Sequence, residues 1–179
     1  MTKLSRSVRR LACAAVCLAL ALVLPFVTGN IPQIGSALCP MHLPVLLCGF
    51  LCGWPWGLAV GFLAPLLRSV LFGMPPMYPS ALGMAFELAG YGVITGLLSR
   101  LLPKKLGYTY LTLAAAMLGG RLIWGAARFV MAGLGGSDFP FFISILGAVT
   151  GAVPGLIAQL VLVPVLVTAL RKAKVTPDD

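Results

Sequence analysis

The sequence contains very few charged residues. Only 9% of its 179 residues are Asp, Glu, Lys or Arg, whereas 60% are hydrophobic. This composition leaves too little polar surface to cover a water-soluble globule, so it excludes an ordinary soluble fold. Short segments that alternate polar and apolar residues are also missing, which argues against a transmembrane β-barrel. The long apolar runs that remain predict transmembrane helices, in which the backbone hydrogen bonds are made within each span.

Groups that perform chemistry are scarce as well. The chain has one histidine and four acidic residues, and Glu87 is the one carboxylate inside a predicted span. An intramembrane enzyme needs a nucleophile and its base, or a cluster of metal ligands, at matched depth. We therefore expect no enzymatic activity, no metal site and no cofactor. The five cysteines are an odd number and lie mostly within apolar runs, so they are expected to pack as small hydrophobic residues.

Interruptions by proline, glycine and charge divide the chain into six predicted spans. We interpret the first apolar run, which follows a basic start, as a retained helix rather than a cleaved signal peptide. The second span is short, and the sixth is overlong and interrupted by Pro154 and Pro164. Residues 1–179 are expected to form a single transmembrane domain. The spans cover about residues 11–27, 42–54, 57–72, 80–98, 107–131 and 139–170.

The positions of lysine and arginine predict the orientation. Cytoplasmic loops are enriched in these residues, and here they concentrate at the two chain ends and in one loop near residue 104. Six spans place all three groups on one side, so both termini are predicted to be cytoplasmic. Three segments then lie outside, namely residues 28–41, 73–79 and 132–138.

Polar residues inside apolar spans are the candidates for function, because a charge in hydrocarbon is costly unless it is paired or hydrated. Glu87 and Arg121 lie at similar depths and are expected to pair, with packing and ligand binding equally plausible roles. Arg68 and Arg128 lie nearer the outer ends, where they either bind an anionic nutrient or extend to lipid headgroups. His42 is expected to form a hydrogen bond with substrate, since a metal site would need more ligands.

Other patterns are more typical of packing. Gln159 is interpreted mainly as a contact between helices, with a ligand contact as the alternative. Ala15 and Ala19 are spaced four apart, and so are Gly53, Gly57 and Gly61. Small residues at this spacing let two helices approach closely, and they usually do so within one chain.

Four motifs together resemble the substrate-capture subunits, or S-components, of energy-coupling factor (ECF) vitamin transporters. They are Leu-Pro-Phe-Val-Thr-Gly at 24–29, Pro-Met-His-Leu-Pro-Val-Leu-Leu-Cys-Gly-Phe at 40–50, Met-Ala-Phe-Glu-Leu-Ala-Gly-Tyr-Gly at 84–92 and Gly-Arg-Leu-Ile-Trp-Gly at 120–125. The resemblance implies an all-α bundle of six transmembrane helices with an outward-opening pocket beneath the first external loop. It also implies that Ala15 and Ala19 meet a transmembrane coupling subunit.

In this family two separate ATPase subunits drive transport, and the sequence accordingly lacks a Gly-xxxx-Gly-Lys-[Ser/Thr] phosphate loop. The expected function is capture of a small, carboxylate-bearing vitamin or other micronutrient at the outer face of a bacterial cell membrane. The expected ligand contacts are His42, Arg68, Glu87, Arg121 and Arg128. A self-sufficient secondary transporter or channel for a small anion is the alternative, although two similar halves, which would favour it, are not evident.

Overall fold

The fold is a bundle of apolar helices. The computed structural model describes residues 3–27, 39–134, 146–147 and 150–173, and these contain no strand. A short π-helical turn, Met77–Ala81, leads directly into the fourth helix. The prediction of an all-α protein with six helices is therefore confirmed. The helices are α1 (Lys3–Val27), α2 (His42–Cys52), α3 (Trp54–Phe72), α4 (Leu82–Leu101), α5 (Leu106–Leu134) and α6 (Val153–Lys172).

Five of these helices are long and apolar enough to cross a membrane, and α2 is the exception. Its 11 residues cover about 16 Å at 1.5 Å per residue, roughly half of a 30 Å hydrocarbon core. Gly53 ends α2 with a φ of 93°, a conformation that glycine adopts without a steric penalty. The predicted short second span is therefore a half-length helix, and it begins at His42 deep in the bundle.

The last helix differs from the prediction at its start. The sequence predicted an overlong span over residues 139–170. The structure shows α6 at Val153–Lys172. Residues 139–145 and 148–149 lie outside the described part of the chain. Pro154 lies in the first turn of α6, where the missing N–H would have no partner within the helix. Residues 146–147 and 150–151 are also helical and Ala152 forms a turn, so the predicted span is divided just before Pro154, where an interruption was predicted. Pro164 lies inside α6.

Helix α4 is the centre of the bundle and packs against α2, α3 and α5. Its contact with α3 is made through glycines: a Cβ on Gly57 would lie 2.6 Å from the carbonyl oxygen of Gly92. Gly61 packs in the same way against the backbone of Leu88. The glycines spaced four apart thus bring two helix backbones of the same chain into direct contact.

Helix α1 packs along one side of α2 and α3. Ala14, Cys17 and Ala21 face the core and are at most 5% exposed, as expected for positions three and four apart. Ala15 and Ala19 lie on the opposite, exposed side of α1. The five cysteines are free, and Cys17, Cys48 and Cys52 are buried among apolar side chains.

Candidate functional site

An ion pair between α4 and α5 forms the centre of the candidate site. Arg121 Nη1 lies 2.9 Å from Glu87 Oε1, and Glu87 is 1% exposed. Tyr91, one turn further along α4, donates a hydrogen bond of 3.0 Å to the same carboxylate oxygen. Residues four apart lie on one face of a helix, so α4 presents both groups to α5. The pairing of Glu87 and Arg121 predicted from their depths is present.

His42 brings the beginning of α2 to this ion pair. Its Nε2 atom lies 3.6 Å from Glu87 Oε1, and its ring meets that of Tyr91 edge-on at a centroid distance of 5.2 Å. The imidazole is buried, and neither ring nitrogen has a hydrogen-bond partner. The separation of 3.6 Å is too long for a hydrogen bond.

Cys39 connects the same site to α5 and α6. Its backbone has a φ of 47°, an uncommon left-handed conformation for a residue other than glycine. The carbonyl oxygen of Cys39 accepts a hydrogen bond of 3.0 Å from the backbone N–H of His42 and one of 3.5 Å from Gln159 Nε2. Arg121 Nη2 lies 3.9 Å from the Cys39 sulfur. We call Cys39, His42, Glu87, Tyr91, Arg121 and Gln159 the polar network.

Several buried polar atoms of the network lack hydrogen-bond partners within the described part of the chain. They are His42 Nδ1 and Nε2, Arg121 Nε, and Gln159 Oε1, and the three residues are at most 9% exposed. Leaving such an atom unpaired costs about 1–3 kcal/mol. Native interiors satisfy most buried polar groups, so several unpaired atoms in one connected cluster indicate a place prepared for hydrogen bonds to another molecule.

The other two predicted arginines lie elsewhere. Arg68 of α3 is 4% exposed, and its Nη1 donates a hydrogen bond of 2.7 Å to the carbonyl oxygen of Leu22 in α1. Its guanidinium also lies 4.8 Å from the ring centroid of Phe26 and 5.5 Å from that of Phe72. These contacts join α3 to the end of α1, at a distance from the polar network.

Arg128 lies on α5 beside α4. Its guanidinium is 5.8 Å from the ring centroid of Trp124, a cation–π geometry. A Cβ added to Gly83 would lie 3.2 Å from the Arg128 Cδ. Among the predicted ligand contacts, the described structure thus brings together His42, Glu87 and Arg121. Arg68 lies at the contact of α3 with α1, and Arg128 lies in the same α4–α5 contact as the ion pair, about 10 Å along α5 from Arg121.

Sequence reasoning did not identify Tyr91 and Cys39, and it assigned Gln159 mainly to helix packing. The spacing of Tyr91 from Glu87 was the available signal, since residues four apart share a helix face. No comparable signal existed for Cys39, because its role depends on how the segment before α2 enters the bundle. Gln159 does contact another segment, as predicted, but through one end of its amide only.

Comparison with known protein families gives one match, and it covers nearly the whole chain. Residues 9–175 match the family model described as "ECF transporter, substrate-specific component". Neither the curated proteins nor the solved structures include a match. The matched region contains all six helices except the first turns of α1, and it contains every residue of the polar network. The chain is therefore a multi-pass membrane protein that belongs to the substrate-specific components of ECF transporters.

Proposed function

We propose that this protein captures a small micronutrient, of the size and polarity of a vitamin, at the outer face of a bacterial cell membrane and delivers it inward. The whole chain, residues 1–179, acts as one substrate-binding domain in this proposal. The observation that carries the proposal is the polar network. It contains a buried Glu87–Arg121 ion pair, and atoms of His42, Gln159 and Arg121 itself have no hydrogen-bond partner among the described residues. Ligand pockets typically combine apolar walls with a few such polar groups.

The location of the network supports capture from outside. Glu87 is the sixth residue of α4, about 8 Å from the end of that helix predicted to face outward. His42 begins α2, and Cys39 immediately precedes it, so the connection from α1 reaches the network from the predicted outer side. We propose that this connection, residues 28–41, closes over the bound ligand. Most of it, residues 28–38, lies outside the described part of the chain.

Delivery requires energy from other chains. The family implies partnership with an ECF membrane subunit and ATPase subunits, and we propose one coupling subunit and two ATPases. We propose that Ala15 and Ala19 contact the coupling subunit. Both lie on the exposed side of α1, and small residues four apart allow a partner helix to approach closely.

Co-purification and transport test this proposal. The protein is expressed with a coupling subunit and two ATPases, purified through a tag on this chain, and reconstituted into vesicles that contain ATP. We expect a complex of all four chains and accumulation of one radiolabelled vitamin that stops when a non-hydrolysable ATP analogue replaces ATP. Uptake by this chain alone would instead favour a secondary transporter or channel. Failure to associate with any coupling subunit would overturn the proposal.

The carboxylate of the ligand stays a prediction from the sequence. It depends on Arg68 or Arg128, so charge reversal tests it: the variant at the arginine that holds the carboxylate, Arg68→Glu or Arg128→Glu, should weaken binding of an anionic ligand by about tenfold or more. Arg68→Gln and Arg128→Gln are the matched variants that remove charge without reversing it. Unchanged affinity in both reversed variants would assign these arginines to packing or lipid.

A further inference from the structure

The charge of the polar network is balanced. Glu87 and Arg121 supply one negative and one positive charge at 2.9 Å, and both are buried. A ligand anion that contacts Arg121 would also lie close to Glu87, because the two side chains are only 2.9 Å apart, and Arg121 is the one residue of the network with a permanent positive charge. Like charges at short range in a medium of low dielectric constant repel strongly. The network therefore disfavours an additional charge of either sign.

The rest of the predicted outer side adds no free positive charge at this place. Arg68 lies at the contact of α3 with α1, and Arg128 lies about 10 Å along α5 from Arg121, against the Trp124 ring. The segments that join α1 to α2 and α5 to α6 contain no lysine or arginine between residues 28 and 38 or between residues 135 and 149, and their single charged residue is Asp138. Wherever those segments lie, they cannot supply a cation for a carboxylate bound in the network.

The unpaired atoms require a ligand with two kinds of hydrogen-bonding groups. Arg121 Nε carries a hydrogen and needs an acceptor, whereas Gln159 Oε1 needs a donor. The orientation of the Gln159 amide follows from its neighbour, because the Cys39 carbonyl accepts hydrogen bonds only and so faces the NH₂ group. The two unpaired nitrogens of His42 add two further hydrogen-bonding positions, at least one of which is a donor.

We propose that the ligand group held by the polar network is uncharged and carries both a hydrogen-bond donor and an acceptor, as an amide, lactam or ureido group does. Any carboxylate of the ligand then lies outside the network. This inference rests on the proposed function. A carboxylate offers acceptors only, so it would leave Gln159 Oε1 without a donor, whereas an amide-like group pairs with both Gln159 and Arg121.

The test begins with the purified full chain in detergent and a panel of riboflavin, thiamine, nicotinamide, nicotinate, pantothenate and folate, titrated by isothermal calorimetry. The tightest binder of the panel is then titrated against Glu87→Gln. This variant removes the negative charge, so an anion bound in the network would gain about tenfold or more in affinity. We expect the opposite for an uncharged group, namely affinity equal to that of the wild type or weaker.

A second variant decides the question if Glu87→Gln does not fold. Gln159→Met removes the acceptor and keeps the approximate shape of the side chain. We expect affinity to fall about tenfold or more, because a ligand donor loses its partner. A group that only accepts hydrogen bonds would bind as well or better. Thr168→Val is the matched control in the same helix, since the Thr168 hydroxyl bonds to the backbone of α6 itself; its affinity should not change.

The outcomes separate this inference from the proposed function. Weaker binding in Gln159→Met, without a gain in Glu87→Gln, supports an uncharged donor–acceptor group. Unchanged or tighter binding in Gln159→Met, or tighter binding in Glu87→Gln, overturns that inference and leaves micronutrient capture standing. If no panel compound binds with a Kd below roughly 100 μM, an energy of about 5–6 kcal/mol, the proposed function fails and the inference fails with it.

Discussion

The helix bundle contains two contrasting regions, namely the α3–α4 contact and the polar network. They differ in how fully the atoms of the chain satisfy one another's packing and hydrogen bonds. At the first, Gly57 and Gly61 bring the backbone of α3 against Gly92 and Leu88 of α4, so closely that no Cβ fits. At the second, buried atoms of His42, Arg121 and Gln159 have no hydrogen-bond partner. One region is filled by the chain itself, whereas the other contains buried hydrogen-bonding groups that the described residues leave unpaired.

The difference shows how one helix combines stability with binding. Both regions use α4, since Gly92 contacts α3 and Glu87 contacts α5. Close backbone packing is a main source of helix association in lipid, where the hydrophobic effect contributes little. A tightly packed face of α4 can therefore hold the opposite face in place, even though the network on that face is destabilised by its unpaired groups.

The largest expected loss of stability comes from adding a side chain at the tightly packed α3–α4 contact. Gly92→Leu places a side chain where the backbone of Gly57 lies, so α3 and α4 must separate, at a cost of about 3 kcal/mol or more. Thermal unfolding followed by circular dichroism in detergent, together with size-exclusion chromatography, measures the loss. Gly133→Ala is the control, because no atom lies within 4 Å of its added Cβ. A Gly92→Leu protein as stable as the wild type would contradict the packing described.

The next largest loss of stability is expected from breaking the Glu87–Arg121 ion pair. Arg121→Met leaves the Glu87 carboxylate buried without its cation, and we expect the free energy of unfolding to fall by about 3 kcal/mol. Glu87→Met combined with Arg121→Met should recover most of that loss, because no unpaired charge remains. Denaturant titration of the two variants measures the difference. Equal stability of the single and double variants would mean that the pair carries no buried electrostatic penalty.

A smaller effect, on assembly with the coupling subunit, is expected from substitutions on the exposed face of α1. Ala15→Leu with Ala19→Leu should reduce assembly with the coupling subunit about tenfold, roughly 1.4 kcal/mol, because larger side chains keep a partner helix away. Ligand affinity of the free chain should stay unchanged. Ala114→Leu, on an exposed part of α5, is the matched control. Pull-down yields from equal amounts of protein give the comparison, and normal assembly of the double variant would remove Ala15 and Ala19 from the interface.

The smallest effect on stability is expected at His42. This position best distinguishes residues that support the fold from residues that bind the ligand. His42→Phe keeps a ring against Tyr91 and removes two nitrogen atoms that have no partner. Stability without ligand should therefore change by less than about 1 kcal/mol or rise, while ligand affinity falls. Unfolding and binding measured on the same preparation test both parts. A marked loss of stability would show that His42 supports the fold rather than the ligand.

The apolar runs were sufficient to predict the helices, because a membrane core demands about 20 apolar residues for each full span. Depth along the spans was sufficient to predict the pairing of Glu87 with Arg121, since a buried charge strongly favours a partner at its own level. The interruption predicted at Pro154 coincides with the turn at Ala152 and the start of α6, because proline cannot continue a preceding helix but is compatible with the first turn of the next one.

The direction in which a side chain points was harder to predict. Arg68 was expected near the ligand from its depth alone, but the packing of α3 directs it to the carbonyl of Leu22 in α1. Rotation of a helix about its axis depends on its neighbours, and sequence spacing within one helix does not define it. For the same reason, the meeting of Cys39 with Arg121 and Gln159, residues 82 and 120 positions away, left no pattern in the sequence.

Uptake by the double variant Glu87→Met with Arg121→Met tests the central claim most directly. Vesicles with the assembled transporter and internal ATP are supplied with the vitamin that the wild-type chain accumulates. We predict that the double variant assembles with its partners and remains folded, yet accumulates less than about a tenth as much at a concentration near the wild-type Kd. Accumulation equal to that of the wild type would contradict the assignment of the polar network as the substrate site.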